Sequence, residues 1–231
     1  MITTRMANER GSANFGWLNS QHSFSFGQYY DPAHMGVSAL RVINDDKVSA
    51  GAGFSTHGHS NMEIISFVTQ GEMIHKDSEG NEQRLPAGEF QLMSAGRGIM
   101  HSEYNASATE PLHFLQIWIQ PNVQGGQPKY QQKRFARREG LSPVITPDGQ
   151  NGTLSIKQDA QLSELYLTER RAVDVSLASA RRYYVHVISG SLEVNGVALS
   201  AGDGATIKDE AQLQLTKHSE HAVHALFFDL P

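Results

Sequence analysis

Leu112-His113-Phe114-Leu115-Gln116-Ile117-Trp118-Ile119 reads as a β-strand. Leu112, Phe114, Gln116 and Trp118 share one face, and His113, Leu115, Ile117 and Ile119 share the other, because successive strand side chains point to opposite sides. Working outward, the same kind of segment recurs. Val37–Ile43 predicts a strand that ends at Asn44-Asp45-Asp46, and Phe54–Val68 alternates poorly but is rich in β-branched and aromatic residues. Gly71–Lys76 runs into Asp77-Ser78-Glu79-Gly80-Asn81, a hairpin signal. Turns at Pro86-Ala87-Gly88 and Ser94-Ala95-Gly96-Arg97-Gly98 flank a short strand, Phe90–Met93. Helical periodicity is scarce throughout, so the chain reads as all-β.

The composition shifts after Pro121. Gln124-Gly125-Gly126-Gln127-Pro128 and a basic run from Lys133 to Arg138 look like a surface crossing with a solvated face. The β rhythm then resumes with Tyr183–Ile188, an Asn195-Gly196 turn, Gly202-Asp203-Gly204 and Val223–Phe228. Gly71 followed by Pro86-Ala87-Gly88 is paralleled by Gly190 followed by Ala201-Gly202-Asp203. Two copies of one β-barrel module are expected: a first domain at 1–125, a linker at 126–142 and a second domain at 143–231.

The chain has 231 residues, enough to bury about 70% of its unfolded surface without a metal or disulfide staple. With 19 basic and 24 acidic residues the net charge is −5, which argues against non-specific nucleic-acid binding. There is no cysteine, so thiolate nucleophiles, disulfide scaffolds and cysteine metal sites are excluded. No run approaches the ~18 apolar residues of a membrane span, and a cytoplasmic protein is the expectation. Any metal must use His, Asp or Glu, and there are 11 histidines to place.

His57-Gly58-His59 puts two imidazoles on one strand face, and His101-Ser102-Glu103 repeats the spacing with an imidazole and a carboxylate. The interval between them holds hairpins, so the two strands can lie side by side and converge on one ion. Glu63 is a rival to Glu103. A straight strand would carry it about 13 Å from His59, so it reaches the ion only if the chain bends at Ser60-Asn61; otherwise it orients a ligand or forms a cross-strand charge. His75 reads as a hairpin residue, His113 as a satisfied core histidine, and Arg97 as a solvent-facing turn residue. Trp118, Phe67 and Phe114 read as core, and His218, His221 and His224 as surface positions.

Gly51-x5-His57-x-His59-x3-Glu63-x7-Gly71 resembles the first cupin motif with a last spacing one residue longer, and Gly80-x5-Pro86-x-Gly88 resembles the start of the second. The histidine usual two residues further on is replaced by Gln91, and a later His101 follows the Ser94–Gly98 turn. That departure resembles the pirin branch of the cupin superfamily. So does the upstream segment His22-Ser23-Phe24-Ser25-Phe26-Gly27, with Tyr30-Asp31-Pro32 and Leu40–Asp46. The resemblance implies a bicupin, two barrels facing each other, with one mononuclear metal in the first. It maps the metal ligands onto His57, His59, His101 and Glu103. The second barrel has no H-x-H, and His186 stands alone there.

Such a donor set suits Fe(II) and tolerates Mn, Ni, Cu or Zn. The family is associated with quercetin 2,3-dioxygenase activity. A flavonol and dioxygen would then be the small-molecule partners, and Glu103 would take the proton of the flavonol 3-hydroxyl. The alternative is a non-enzymatic, metal-dependent regulator or redox sensor that acts through protein partners. An open pocket with apolar walls favours the enzyme, and a closed ion favours the regulator.

Overall fold

The computed structural model describes residues 1–169, 172–218 and 220–231. Among these residues the regular structure is β-strand, interrupted by two three-residue 3-10 turns. No helix is long and apolar enough to cross a membrane. The strands form two seven-stranded and two four-stranded sheets, one of each size in each of two compact units. The N-terminal barrel spans residues 11–135 with 156–158, and the C-terminal barrel spans 1–10, 136–155 and 159–231.

The expected boundaries need two corrections. The first ten residues belong to the second barrel, where Ile2–Arg5 pairs antiparallel with Gly204–Ile207. The expected linker 126–142 is largely built into the sheets: Lys129–Arg134 pairs with Glu89–Ser94 in the first barrel, and Gly140 opens a strand of the second. A polar, basic run serves as an edge strand because its charged side chains can stay in water while its backbone completes the ladder.

In the N-terminal barrel, the large sheet has Leu112–Ile119 at its centre, flanked by Glu63–Gln70 and Leu40–Val48. The small sheet runs Gly53–His59, Ile99–Asn105, Glu72–Asp77, Glu82–Pro86. The large sheet carries an unusual inner face. His22, Asn44, Gln116, Ser66 and Gln91 are successive Cα partners across five strands. One register step to one side lie Phe114 and Val68, and one step to the other lie Trp118, Ile64 and Met93. A polar belt therefore crosses the barrel interior, and Asp46 and Ser20 extend it on the Phe114 side.

This belt explains a missed boundary. Asn44-Asp45-Asp46 does not end a strand; Leu40–Val48 runs straight through it. Asn44 and Asp46 point inward to the belt side and are buried, while Asp45 on the other face pairs with His113. Phe54–Val68 is likewise not one strand. Gly53–His59 lies in the small sheet and Glu63–Gln70 in the large one, and the chain turns between them at Asn61, which has φ 49°.

The C-terminal barrel repeats the topology. Its large sheet places Val223–Leu230 between Arg182–Ser189 and Gln161–Leu167, and its small sheet again has four strands. Its interior differs in kind. Leu165, Val185, Val187, Leu213, Val223 and Ala225 belong to one continuous apolar cluster.

Candidate metal centre

The small sheet of the N-terminal barrel assembles the centre. His57 is the Cα partner of His101, which is in turn the partner of Asp77. One step along, Glu103 faces His75. Three residues on the His101 strand, from His101 to Glu103, oppose four on its neighbour, from His57 to Phe54. This β-bulge re-aims the side chains beside it.

The three imidazoles converge. Ring centroids are 4.9 Å apart for His57–His59, 4.4 Å for His57–His101 and 4.9 Å for His59–His101. One ring nitrogen from each lies within 4.8 Å of the other two. Donors bound to one ion at about 2.1 Å are about 3–4 Å apart, so modest rotations close the set.

Hydrogen bonding supports the fit. His57 Nδ1 donates to the Ser55 carbonyl at 2.8 Å, which leaves Nε2 as the free donor atom. His59 Nε2 and both ring nitrogens of His101 are buried without a hydrogen-bond partner. Buried polar atoms are seldom left so, and lone pairs aimed at a common point are what a cation would satisfy. Burial, then the neighbouring His101 and His57, pushes His59 down to about 4. Burial, then His57 and His75, pushes His101 down to about 3. Both are therefore neutral at physiological pH and able to ligate.

Glu103 stands slightly apart from the triad. It is buried, and its carboxylate groups with His75 and His101, again within 4.8 Å. Gln116 Nε2 donates to Glu103 Oε2 at 2.9 Å. The Ser66 hydroxyl lies 2.9 Å from Gln116 Oε1 and 3.2 Å from Glu103 Oε1. A serine has one proton to give, so the shorter contact to Gln116 takes it more readily. Two members of the polar belt, Gln116 and Ser66, thus hold Glu103.

Glu63 does not join these groups. The chain does bend before it, but the bend delivers Glu63 to the large sheet. There it accepts from Ser94 Oγ at 2.8 Å and from the Lys157 backbone at 3.2 Å, and burial pushes its carboxyl up.

His75 is more than a hairpin residue. Its Nε2 bonds Asp77 at 2.9 Å, Asp77 is held in turn by Asn81, and its Nδ1 is buried without a partner beside His101. His75-x-Asp77 repeats the i, i+2 spacing of the other pairs, and that signal was available in the sequence. Trp118 is not plain core, since it packs edge-on against His59 at 4.9 Å and lines a cavity. Phe67 and Phe114 are core, at 1% and 0% exposure. His113 is on the outer face, half-buried, and paired with Asp45. Arg97 is exposed in its turn. His218 and His221 are exposed, but His224 is buried against Glu164 at 2.7 Å. His186 is buried in the C-terminal barrel.

A cavity of about 590 Å3 opens beside the triad. His57, His59 and Glu103 bound it, as do Asp46, Asn44 and His22, and Trp17, Phe26, Tyr29, Phe54 and Trp118 form aromatic walls. Its size falls within the roughly 300–1,000 Å3 of small-molecule sites.

Two β-barrel units of one topology, only the first carrying a convergent histidine cluster among the described residues, define a bicupin protein with one candidate metal centre there. Residues 3–119 match the Pirin family, and residues 143–230 match the Quercetinase C-terminal cupin domain. The chain belongs to the pirin family. It is 49% identical to the Quercetin 2,3-dioxygenase of Escherichia coli K12, over 100% of this chain and 99% of that one. It is 35% identical to the pirin-like protein YhaK of the same organism, over the full length of both. Its fold superposes on a crystal structure of the bacterial pirin YhhW from Escherichia coli in complex with nickel(II). That TM-score is 0.96 at 48% identity, covering 100% of this chain and 99% of that one.

Proposed function

We propose that this protein is a metal-dependent dioxygenase that opens the heterocycle of flavonols such as quercetin at the 2,3 bond. The observation that carries the reading is the cavity, where aromatic walls suited to a planar polyphenol meet the imidazole triad and Glu103. The relative named Quercetin 2,3-dioxygenase supports the substrate class. We assign one divalent ion to His57, His59, His101 and Glu103, and Fe(II) as that ion. Mn, Ni, Cu and Zn accept the same donors, and the nickel(II) complex of YhhW is in keeping with a divalent centre.

When bound, the ion supplies Lewis acidity toward an enolate oxygen and open positions for dioxygen chemistry. The chain's own residues do the rest. Trp17, Phe54 and Trp118 flank the planar rings and keep water from the reacting bond. Glu103 accepts the 3-hydroxyl proton. Gln116 holds that carboxylate by donating to Oε2, so the base is oriented before substrate arrives. A regulator that acts through protein partners has no need of an aromatic-walled cavity at its ion.

The test is flavonol loss under oxygen. Fe(II)-loaded protein is expected to bleach quercetin absorbance at least about 100-fold faster than His57→Ala or His101→Ala, consistent with loss of an essential catalytic group. Wild-type rates no higher than those of the variants would overturn the assignment.

A further inference from the structure

We propose that Asp46, which borders the same cavity as His57 and Glu103, is a second anchor for the substrate: its carboxyl hydrogen-bonds a flavonol hydroxyl other than the one presented to Glu103. The inference rests on the flavonol reading above and adds to it a residue that selects among flavonols.

Asp46 lies mid-strand, with Ser20 and Phe114 as its Cα partners. It is 3% exposed, yet it bounds the cavity. Its Oδ1 is buried without a hydrogen-bond partner, and the Ser20 hydroxyl is its hydrogen-bonding neighbour. Among the described residues, no Lys or Arg bounds the cavity to balance a negative charge there. Burial pushes the carboxyl up to about 7, so near neutrality it can either donate or accept.

A buried acid with a spare oxygen is costly to a fold, and the neighbouring belt shows the alternative. Asn44 is matched to His22 at 2.8 Å, and Ser66 to Gln116 at 2.9 Å. Asp46 stands one step outside those matched pairs, and it borders the cavity a ligand would fill. A polyphenol brings hydroxyls on the rings remote from the 3-hydroxyl. A site built to pair such a hydroxyl discriminates against an analogue that lacks it.

The cavity carries its own reporter, since the chain's two tryptophans, Trp17 and Trp118, both line it. Zn(II)-loaded protein is titrated without oxygen, following tryptophan quenching, with quercetin and with 3-hydroxyflavone, which keeps only the 3-hydroxyl. Asp46→Leu is expected to raise the quercetin Kd about tenfold or more and to move that of 3-hydroxyflavone less than about twofold, as loss of one buried charge-assisted hydrogen bond requires. Zinc content stays at the wild-type value. The isosteric Asp46→Asn guards against misfolding and should show the same selectivity with a smaller loss. Equal weakening for both flavonols, or none for either, overturns the role of Asp46 alone. A wild-type protein that binds neither flavonol overturns the flavonol reading and this inference together.

Discussion

At the scale of single residues, the centre works by leaving groups unsatisfied. His59 and His101 hold ring nitrogens that no protein atom meets, and Asp46 holds an oxygen in the same condition. Each costs folding energy that a ligand can return. For Asp46 the cost depends on pH. Its folded value is raised to about 7 from 3.8, so the folded state binds its proton more tightly than the unfolded state does. Below about pH 4 both states are protonated and there is no penalty; as pH rises through 7 the penalty grows to its full size. Asp46→Asn is therefore expected to be more stable than wild type by on the order of 3 kcal/mol at pH 8, with the gap closing toward pH 4. Urea unfolding at both pH values checks this, and a gap that is constant or widens toward acid would contradict it. Gln116 was legible as the lone polar residue on the Leu112, Phe114, Trp118 face. Its partner was not, because Glu103 comes from a different sheet.

At the scale of elements, two neighbouring strands must stay in close contact for the site to exist. Gly53 makes that contact possible. A Cβ there would meet the Glu103 carbonyl oxygen at 2.4 Å and the Tyr104 Cα at 2.5 Å, both backbone atoms that cannot step aside. Gly53→Ala touches no ligand, yet it should part the strand bearing His57 and His59 from the one bearing His101 and Glu103. The expected result is metal affinity about tenfold weaker and stability about 1–3 kcal/mol lower, the usual cost of overpacking. Competition with a chromophoric chelator measures the first and urea unfolding the second; unchanged affinity would mean that the strands tolerate the side chain. The strand through Asn44-Asp45-Asp46 escaped the sequence reading for a related reason. Polar residues in a row signal a turn when they face water, and here two of the three face the inside of a barrel.

At the scale of the whole molecule, one topology is used in two ways. The C-terminal barrel is packed with apolar side chains, whereas the N-terminal barrel gives up a band of its interior to polar groups. Only the second arrangement should depend on an ion. Removing the metal with a chelator is expected to destabilise the N-terminal barrel by about 3–4 kcal/mol, the linkage energy of an ion present at 100 to 1,000 times its Kd. Hydrogen exchange should show faster exchange in Gly53–His59 and Ile99–Asn105, with Arg182–Ser189 of the other barrel unchanged. Equal loss of protection in both barrels would show that the ion does not act through the site described.

The chain alone determined its class, its duplication and its histidine pairs, because strand alternation, turn residues and i, i+2 spacing are local properties written into neighbouring positions. Only the tertiary structure decided which pairs meet. Glu63 leaves the triad through a turn at left-handed Asn61 into another sheet, and Glu103 reaches it because its strand pairs with those of His57 and His75. The edge position of Lys129–Arg134, the pairing of Ile2–Arg5 with the C-terminal barrel and the cavity bordered by Asp46 are likewise products of long-range register. Register joins residues far apart in sequence, and no local pattern encodes it.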